Sequence, residues 1–205
     1  MIVKVCGIKT EENINDISKL PIDMIGLNFY SPSVRYVNAA VVPQWYDTLP
    51  DEVSRVGVFV NMELDDLLDL ADEYRLDYAQ LHGDESIAYT REVAKQLPII
   101  KVVRVADKLD MEDIKKYDFA EYILFDKDSN YYGGSGHQFD WSLLSAYDME
   151  TPFLLAGGIG PVDINKLKTF SHAQFAGIDI NSRFESEPGV KDAESIGLFL
   201  EGLKP

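Results

Sequence analysis

A thiol and a carboxylate stand where proton-transfer chemistry could be done. Cys6 closes the apolar run Ile2-Val-Lys-Val-Cys6, and Asp126 follows the run Tyr122-Ile-Leu-Phe125. One group that gives a proton and one that takes it are the minimum for general acid–base catalysis on a small molecule. From Asp126 the chain enters a polar loop with three glycines, Gly133, Gly134 and Gly136, and ends on Phe139-Asp140-Trp141, where Asp140 can cap a helix. An acid at the root of a glycine-rich loop suits a site that opens and shuts. A catalytic thiol needs a lowered pKa and a catalytic acid a raised one, and residue types alone establish neither shift. Each residue also has a plain structural reading: Cys6 as a small buried apolar side chain, Asp126 as a cap or loop carboxylate.

Other residues of this kind sit just after apolar runs. Ala156-Gly157-Gly158-Ile159-Gly160 follows the seventh run and Asn181-Ser182 the eighth. Glycines allow close backbone approach to a ligand, and N–H groups at a helix start hold phosphate without formal charge. The alternative is a tight turn with no ligand. Arg35, in Ser31-Pro-Ser-Val-Arg-Tyr36, could clamp a carboxylate with both arms of its fork or lie in solvent. His82, in Gln80-Leu-His-Gly83, could orient a substrate or pack at the rim. No His/Cys/carboxylate cluster has metal-ligand spacing, and no nucleophile elbow is present.

The elements that must position these residues repeat. Eight short apolar runs read as strands: Ile2–Cys6, Met24–Phe29, Val53–Val60, Tyr78–Leu81, Ile99–Val105, Tyr122–Phe125, Phe153–Ala156 and Phe175–Ile180. Between them lie helical patterns over Thr10–Leu20, Ala39–Leu49, Glu63–Tyr74, Glu85–Leu97, Met111–Tyr117, Trp141–Tyr147, Val162–Phe170 and Asp192–Leu203. Thr10 is placed to cap the first, and Leu64, Leu67, Leu68 and Ala71 form a stripe on the third. Continuous apolar runs, rather than strict alternation, predict parallel strands buried on both faces. Eight β-then-α units predict one α/β domain over residues 1–205, a (β/α)₈ TIM barrel whose chemistry gathers at the C-terminal strand ends. An open doubly wound sheet is the rival, but Cys6-Gly7-Ile8-Lys9-Thr10 lacks the glycine pattern of a dinucleotide turn.

The formal net charge of −16 argues against nucleic acid or an anionic membrane as partner. An anionic substrate must then meet local cations and backbone N–H groups. The single cysteine excludes an internal disulfide. No secretion signal is visible at Met1, and no apolar run approaches the roughly 18 residues of a membrane helix, so a cytoplasmic location is expected.

Taken together, the motifs resemble those of the phosphoribosylanthranilate isomerase family of tryptophan biosynthesis. The pieces are Lys4-Val-Cys-Gly-Ile8, Gly26-Leu-Asn-Phe-Tyr30 with Ser33-Val-Arg-Tyr-Val37, Val56-Gly-Val-Phe-Val-Asn61, Gln80-Leu-His-Gly-Asp84, Leu124-Phe-Asp126, Gly133-Gly-Ser-Gly136 with Phe139-Asp-Trp141, Leu155-Ala-Gly-Gly158, and Gly177-Ile-Asp-Ile-Asn-Ser182 with Pro188-Gly-Val-Lys-Asp192. Each is short, but their order spans nearly the whole chain. The resemblance implies a (β/α)₈ barrel that catalyses an Amadori rearrangement, with phosphoribosylanthranilate as its small-molecule substrate, no cofactor and no metal, as a monomer or homodimer. It implies Asp126 as general acid, Cys6 as general base, and Arg35 on the anthranilate carboxylate. Gly157, Gly158, Asn181, Ser182 and the Gly133–Gly136 loop would hold the phosphate. Arg183 departs from the pattern, since many members carry glycine there; an Arg forced to φ > 0 would be strained. Strand parity adds one expectation: if Cys6 faces the barrel mouth, so does Lys4, and its ammonium needs a partner, which Asp179 on the neighbouring eighth strand can supply, with a Cys6 thiolate stabilised above. The rivals are a histidine-pathway barrel isomerase, which has Asp where Cys6 stands, a Schiff-base aldolase, and a non-catalytic sugar-phosphate-binding barrel.

Overall fold

Strands whose successive residues are apolar have no face that can stay in water, so they are stable only with cover on both sides. The computed structural model, which describes residues 1–37, 43–127 and 138–204, meets that need with a closed barrel of parallel strands in the order β1-β2-β3-β4-β5-β6-β7-β8. These are β1 Ile2–Cys6, β2 Met24–Asn28, β3 Ser54–Phe59, β4 Tyr78–Leu81, β5 Ile99–Val105, β6 Tyr122–Lys127, β7 Phe153–Leu155 and β8 Phe175–Ile180. All eight expected runs are strands, with shifts of one or two residues at some ends. Around them lie α1 Glu11–Ile17, α2 Leu64–Glu73, α3 Ile87–Ala94, α4 Met111–Ile114, α5 Ile164–Thr169 and α6 Ala193–Leu203.

The helix starts follow local chemistry. Thr10 caps α1 by accepting the Asn13 N–H at 3.3 Å, and Ser86 and Asp192 cap α3 and α6 in the same way. Asp65 and Asp66 sit in the first turn of α2, where carboxylates complement the helix dipole. Three expected helices are tighter than predicted. Trp141–Ala146 is 3₁₀, Met111–Tyr117 is one α-turn followed by the 3₁₀ turn Lys115–Tyr117, and Pro161–Asp163 is 3₁₀ ahead of α5. The 3₁₀ form is the one used in short pieces and at helix termini, and these turns are short or lie at a helix end. Of the expected helix over Ala39–Leu49, residues 39–42 lie outside the described residues, and Pro43–Thr48 is 3₁₀. An antiparallel hairpin, β9 Glu185–Glu187 with β10 Val190–Lys191, was not anticipated; it turns at Gly189, whose φ is +90°.

Alternation along each strand divides the core in two. Val3, Val5, Ile25, Leu27, Ala79, Leu81, Ile123, Phe125, Ile178 and Ile180 pack outward under the helices. Met24, Val56, Ile100, Val102, Leu124, Leu154 and Ala156 fill the barrel. Lys4 is in the inward set and has no exposed surface. Closure supplies its partner: β1 pairs with β8 in the register Lys4↔Asp179, and Lys4 Nζ lies 3.0 Å from Asp179 Oδ1. The pair expected from parity is therefore present.

Removing one partner of a buried ion pair leaves an uncompensated charge, whereas removing both leaves none. Lys4→Met is expected to destabilise the fold by about 3–5 kcal/mol in urea unfolding, and Lys4→Met/Asp179→Leu to recover most of that loss. A single-variant loss under about 1 kcal/mol would mean that the pair behaves like a solvated surface bridge.

Candidate active site

A cleft opens at the C-terminal strand ends, and Cys6, Arg35, His82, Asp126, Gly157, Gly158, Asn181 and Ser182 all line it. Gly133, Gly134 and Gly136 lie outside the described residues. Asn28, Ser33, Gln80 and Asp179 also reach the cleft.

Cys6 ends β1 opposite Gly26 of β2. A Cβ on Gly26 would stand 2.7 Å from the thiol sulfur, so the glycine makes the room that the thiol occupies. Burial pushes the Cys6 thiol above its ordinary pKa; Lys4 and Lys191 pull it down, Asp179 adds to the rise, and burial prevails. The ammonium beneath the site thus does not produce the lowered thiol that a thiolate base at neutral pH requires, because the same closure that brings Lys4 close also excludes water.

Asp126 stands one residue before the end of β6, not at its end as the apolar run suggested. Its Oδ1 accepts the Lys127 N–H at 2.7 Å, and Oδ2 lies 3.5 Å from His82 Nε2. Gln80 Nε2 is 3.4 Å from His82 Nδ1; with the amide donating, the ring proton sits on Nε2 and faces Asp126. Gln80 Oε1 is buried without a hydrogen-bond partner among the described residues. His82 is therefore a neighbour of the acid rather than a rim-packing residue.

Arg35 is held from two sides. Ser33 Oγ accepts its backbone N–H at 3.1 Å and also accepts from Asn28 Nδ2 at 3.2 Å, which fixes the loop after β2. A Cβ on Gly7, which has φ of +79°, would come 2.7 Å from Arg35 Cδ, so only glycine lets the Arg stem lie there. The guanidinium is bonded to Glu185, a residue that the expected site did not include.

Gly157 and Gly158 have φ of +82° and +70°, a turn open to glycine and strained for other residues. Backbone N–H groups in a turn can form a concavity suited to anions. The turn is tight against the acid: a Cβ on Gly157 would meet Lys127 N at 2.9 Å and Asp126 Oδ1 at 3.1 Å. Arg183 is not strained, because positive φ among the described non-glycine residues occurs at Asn61 and Arg75. It sits in the 3₁₀ turn Ser182–Phe184, its stem against Gly160, where an added Cβ would be 3.1 Å from Arg183 Cβ.

Among the described residues no three His, Cys, Asp or Glu side chains gather as metal ligands, and no helix is long and apolar enough to cross a membrane. Gln80, Glu185 and Lys191 were missed by sequence reasoning as site residues. Lys191 lay within a matched motif, but neither periodicity nor spacing set it or Glu185 apart.

A thiol, a carboxylate–imidazole pair, a two-glycine turn and an Arg fork around one barrel mouth define a (β/α)₈ enzyme built for acid–base work on a small anionic molecule. The sequence model of the family N-(5'phosphoribosyl)anthranilate (PRA) isomerase matches residues 3–202. The N-(5'-phosphoribosyl)anthranilate isomerase of Parabacteroides distasonis is 42% identical over 207 residues, covering 99% of this chain and 93% of that protein. The phosphoribosyl anthranilate isomerase structure from Thermotoga maritima superposes with a TM-score of 0.89 at 35% identity, covering 99% of this chain and 98% of that one. A phosphoribosyl anthranilate isomerase in complex with reduced 1-(o-carboxyphenylamino)-1-deoxyribulose 5-phosphate gives a TM-score of 0.86 at 34% identity, with the same coverage. The chain belongs to the N-(5'-phosphoribosyl)anthranilate isomerase family.

Strain at the two-glycine turn can be tested directly. Gly157→Ala is expected to cost about 1–3 kcal/mol in urea unfolding. Gly197→Ala, in α6 with its nearest neighbour Leu20 Cδ2 at 3.6 Å, should instead be neutral or stabilising by up to about 1 kcal/mol.

Proposed function

We propose that this barrel carries out the isomerase step of tryptophan biosynthesis with Asp126 as general acid and Cys6 as general base, in a single domain spanning residues 1–205. The reaction itself follows from family membership: phosphoribosylanthranilate, an aminoaldose, becomes 1-(2-carboxyphenylamino)-1-deoxyribulose 5-phosphate, an aminoketose. The observation that carries the residue roles is that Cys6, at the end of β1, and Asp126, one residue before the end of β6, line one cleft together with Arg35 and the Gly157-Gly158 turn.

The protons balance through two residues. Asp126 in its acid form protonates the ribose ring oxygen as the C1′–O bond breaks, and the anilino nitrogen lone pair forms the iminium. The Asp126 carboxylate left behind faces His82 Nε2, which can donate to it as negative charge develops. Cys6 as thiolate takes the C2′ proton, and the electron pair moves through the C1′–C2′ bond to give the enolamine. That species tautomerises to the ketone. Arg35 holds the anthranilate carboxylate, while Gly157, Gly158, Asn181, Ser182 and the Gly133–Gly136 loop hold the phosphate. Binding both ends keeps C1′ and C2′ between the two reacting groups. His82 contributes through Asp126, and no cofactor enters any step. A cytoplasmic site of action accords with this small-molecule reaction.

The test is turnover of phosphoribosylanthranilate generated in situ, followed as loss of anthranilate-type fluorescence. Cys6→Ala and Asp126→Asn should each lower kcat by roughly 10²–10⁴ with folding retained. Turnover at the parent rate in both variants would remove the role assignment. A second outcome follows from the sign of the thiol shift. Burial raises the Cys6 pKa, so the reactive thiolate grows with pH through and beyond neutrality. The single-turnover rate should therefore show a rising limb there, and Cys6→Asp, whose base ionises in the carboxylate range, should lose that limb.

A further inference from the structure

Glu185 touches none of the atoms that the proposed chemistry moves, yet it is bonded on every side. Its Oε1 accepts from Arg35 Nε at 2.8 Å, from the Gly189 N–H at 3.1 Å and from Lys191 Nζ, and its Oε2 accepts from Arg35 Nη2 at 2.6 Å. Its side chain is 5% exposed, so this is a dry, bidentate, charge-assisted pair rather than a surface bridge. Hydrogen bonds from Arg35 and the charge of Lys191 overcome the cost of burial and keep its carboxyl below the ordinary range. Lys191, fully buried, also donates to Asn181 Oδ1 at 2.7 Å and to Gly7 O at 3.4 Å. Contacts thus run from Arg35 through Glu185 and Lys191 to Asn181, from the proposed carboxylate end of the cleft to its proposed phosphate end.

The fork geometry has a consequence. Glu185 occupies Nε and one proton of Nη2, which leaves Nη1 and the other Nη2 proton for a ligand. A free Arg side chain has several rotamers, and binding would have to freeze them. With its stem against Gly7 and its inner edge on Glu185, Arg35 presents a single edge in advance. Two cations against one carboxylate leave an unbalanced positive charge in that cluster, the sign that an incoming carboxylate requires.

We propose that Glu185 is a positioning residue for substrate recognition: it holds the guanidinium of Arg35 with one edge toward the cleft and, through Lys191, ties that clamp to Asn181. The proposal rests on Arg35 binding the substrate carboxylate. A residue that only supports the β9–β10 hairpin would change stability and leave the Michaelis constant alone, which separates the two roles.

The experiment is steady-state kinetics of the full chain on phosphoribosylanthranilate for Arg35→Ala, Glu185→Gln, Glu185→Asp and Arg35→Ala/Glu185→Gln, with thermal unfolding of each. Arg35→Ala and Glu185→Gln should each raise KM about tenfold or more and lower kcat/KM by at least that factor, the signature of lost substrate binding. The double variant should be no worse than Arg35→Ala, because Glu185 acts through Arg35. If Glu185→Gln does not fold, Glu185→Asp carries the test: it keeps the charge, shortens the reach and should still raise KM. An unchanged KM in folded Glu185 variants, with KM raised in Arg35→Ala, overturns the role of Glu185 and leaves the carboxylate clamp standing. An unchanged KM in Arg35→Ala overturns the clamp and this inference with it.

Discussion

Barrel closure is the constraint on which the rest of this structure depends. Once β8 pairs with β1, every inward side chain of eight strands shares one narrow space. Apolar residues fill the lower part, and charges can enter only in pairs. Lys4 and Asp179 meet that condition across the closing seam, in register and in contact. Their pairing puts an ammonium under the thiol and a carboxylate at the cleft floor, so one structural requirement sets part of the electrostatics of the site. The same closure keeps water from Cys6, which is why the thiol is pushed up in spite of its cationic neighbours.

Above that floor the site is assembled by close approach. Gly26 makes space for the Cys6 sulfur, Gly7 for the stem of Arg35, and Gly157 lies against Asp126 and Lys127. Each is a position where a methyl group would strike an atom that must stay put. The charged residues form a second layer of constraint. Glu185 and Lys191 arrive on a small hairpin outside the barrel repeat and bond to residues of the loops after β1, β2 and β8. The loops of a (β/α)₈ enzyme carry its function, and here buried ion pairs give them an order that short loops alone would not have.

Much of this was legible along the chain. Eight uninterrupted apolar runs and the helical stripes between them depend on local periodicity, and the eight strands appear where those runs lie. Thr10 and Asp140 cap as their side chains dictate, although Asp140 begins a 3₁₀ turn through Ser142 rather than an α-helix. Helix type in the connections was not legible, because residues such as Trp141–Ala146 have apolar spacing compatible with either form and the segment is 3₁₀ in the structure. The strain expected at Arg183 does not arise, since positive φ among the described non-glycine residues occurs only at Asn61 and Arg75.

The sequence by itself determined the repeat of strand and helix, the inward parity of Lys4 with Cys6, and the placing of Cys6 and Asp126 near strand ends. These are properties of neighbours in the chain, fixed by side-chain size, polarity and a two-residue or 3.6-residue period. Only the tertiary structure decided that Glu185 would hold Arg35 across a separation of 150 residues, and that His82 would stand beside Asp126. It also decided the direction of the Cys6 pKa. Which charges meet, and how dry the place is where they meet, depends on how the ring of strands closes, and no local pattern records that.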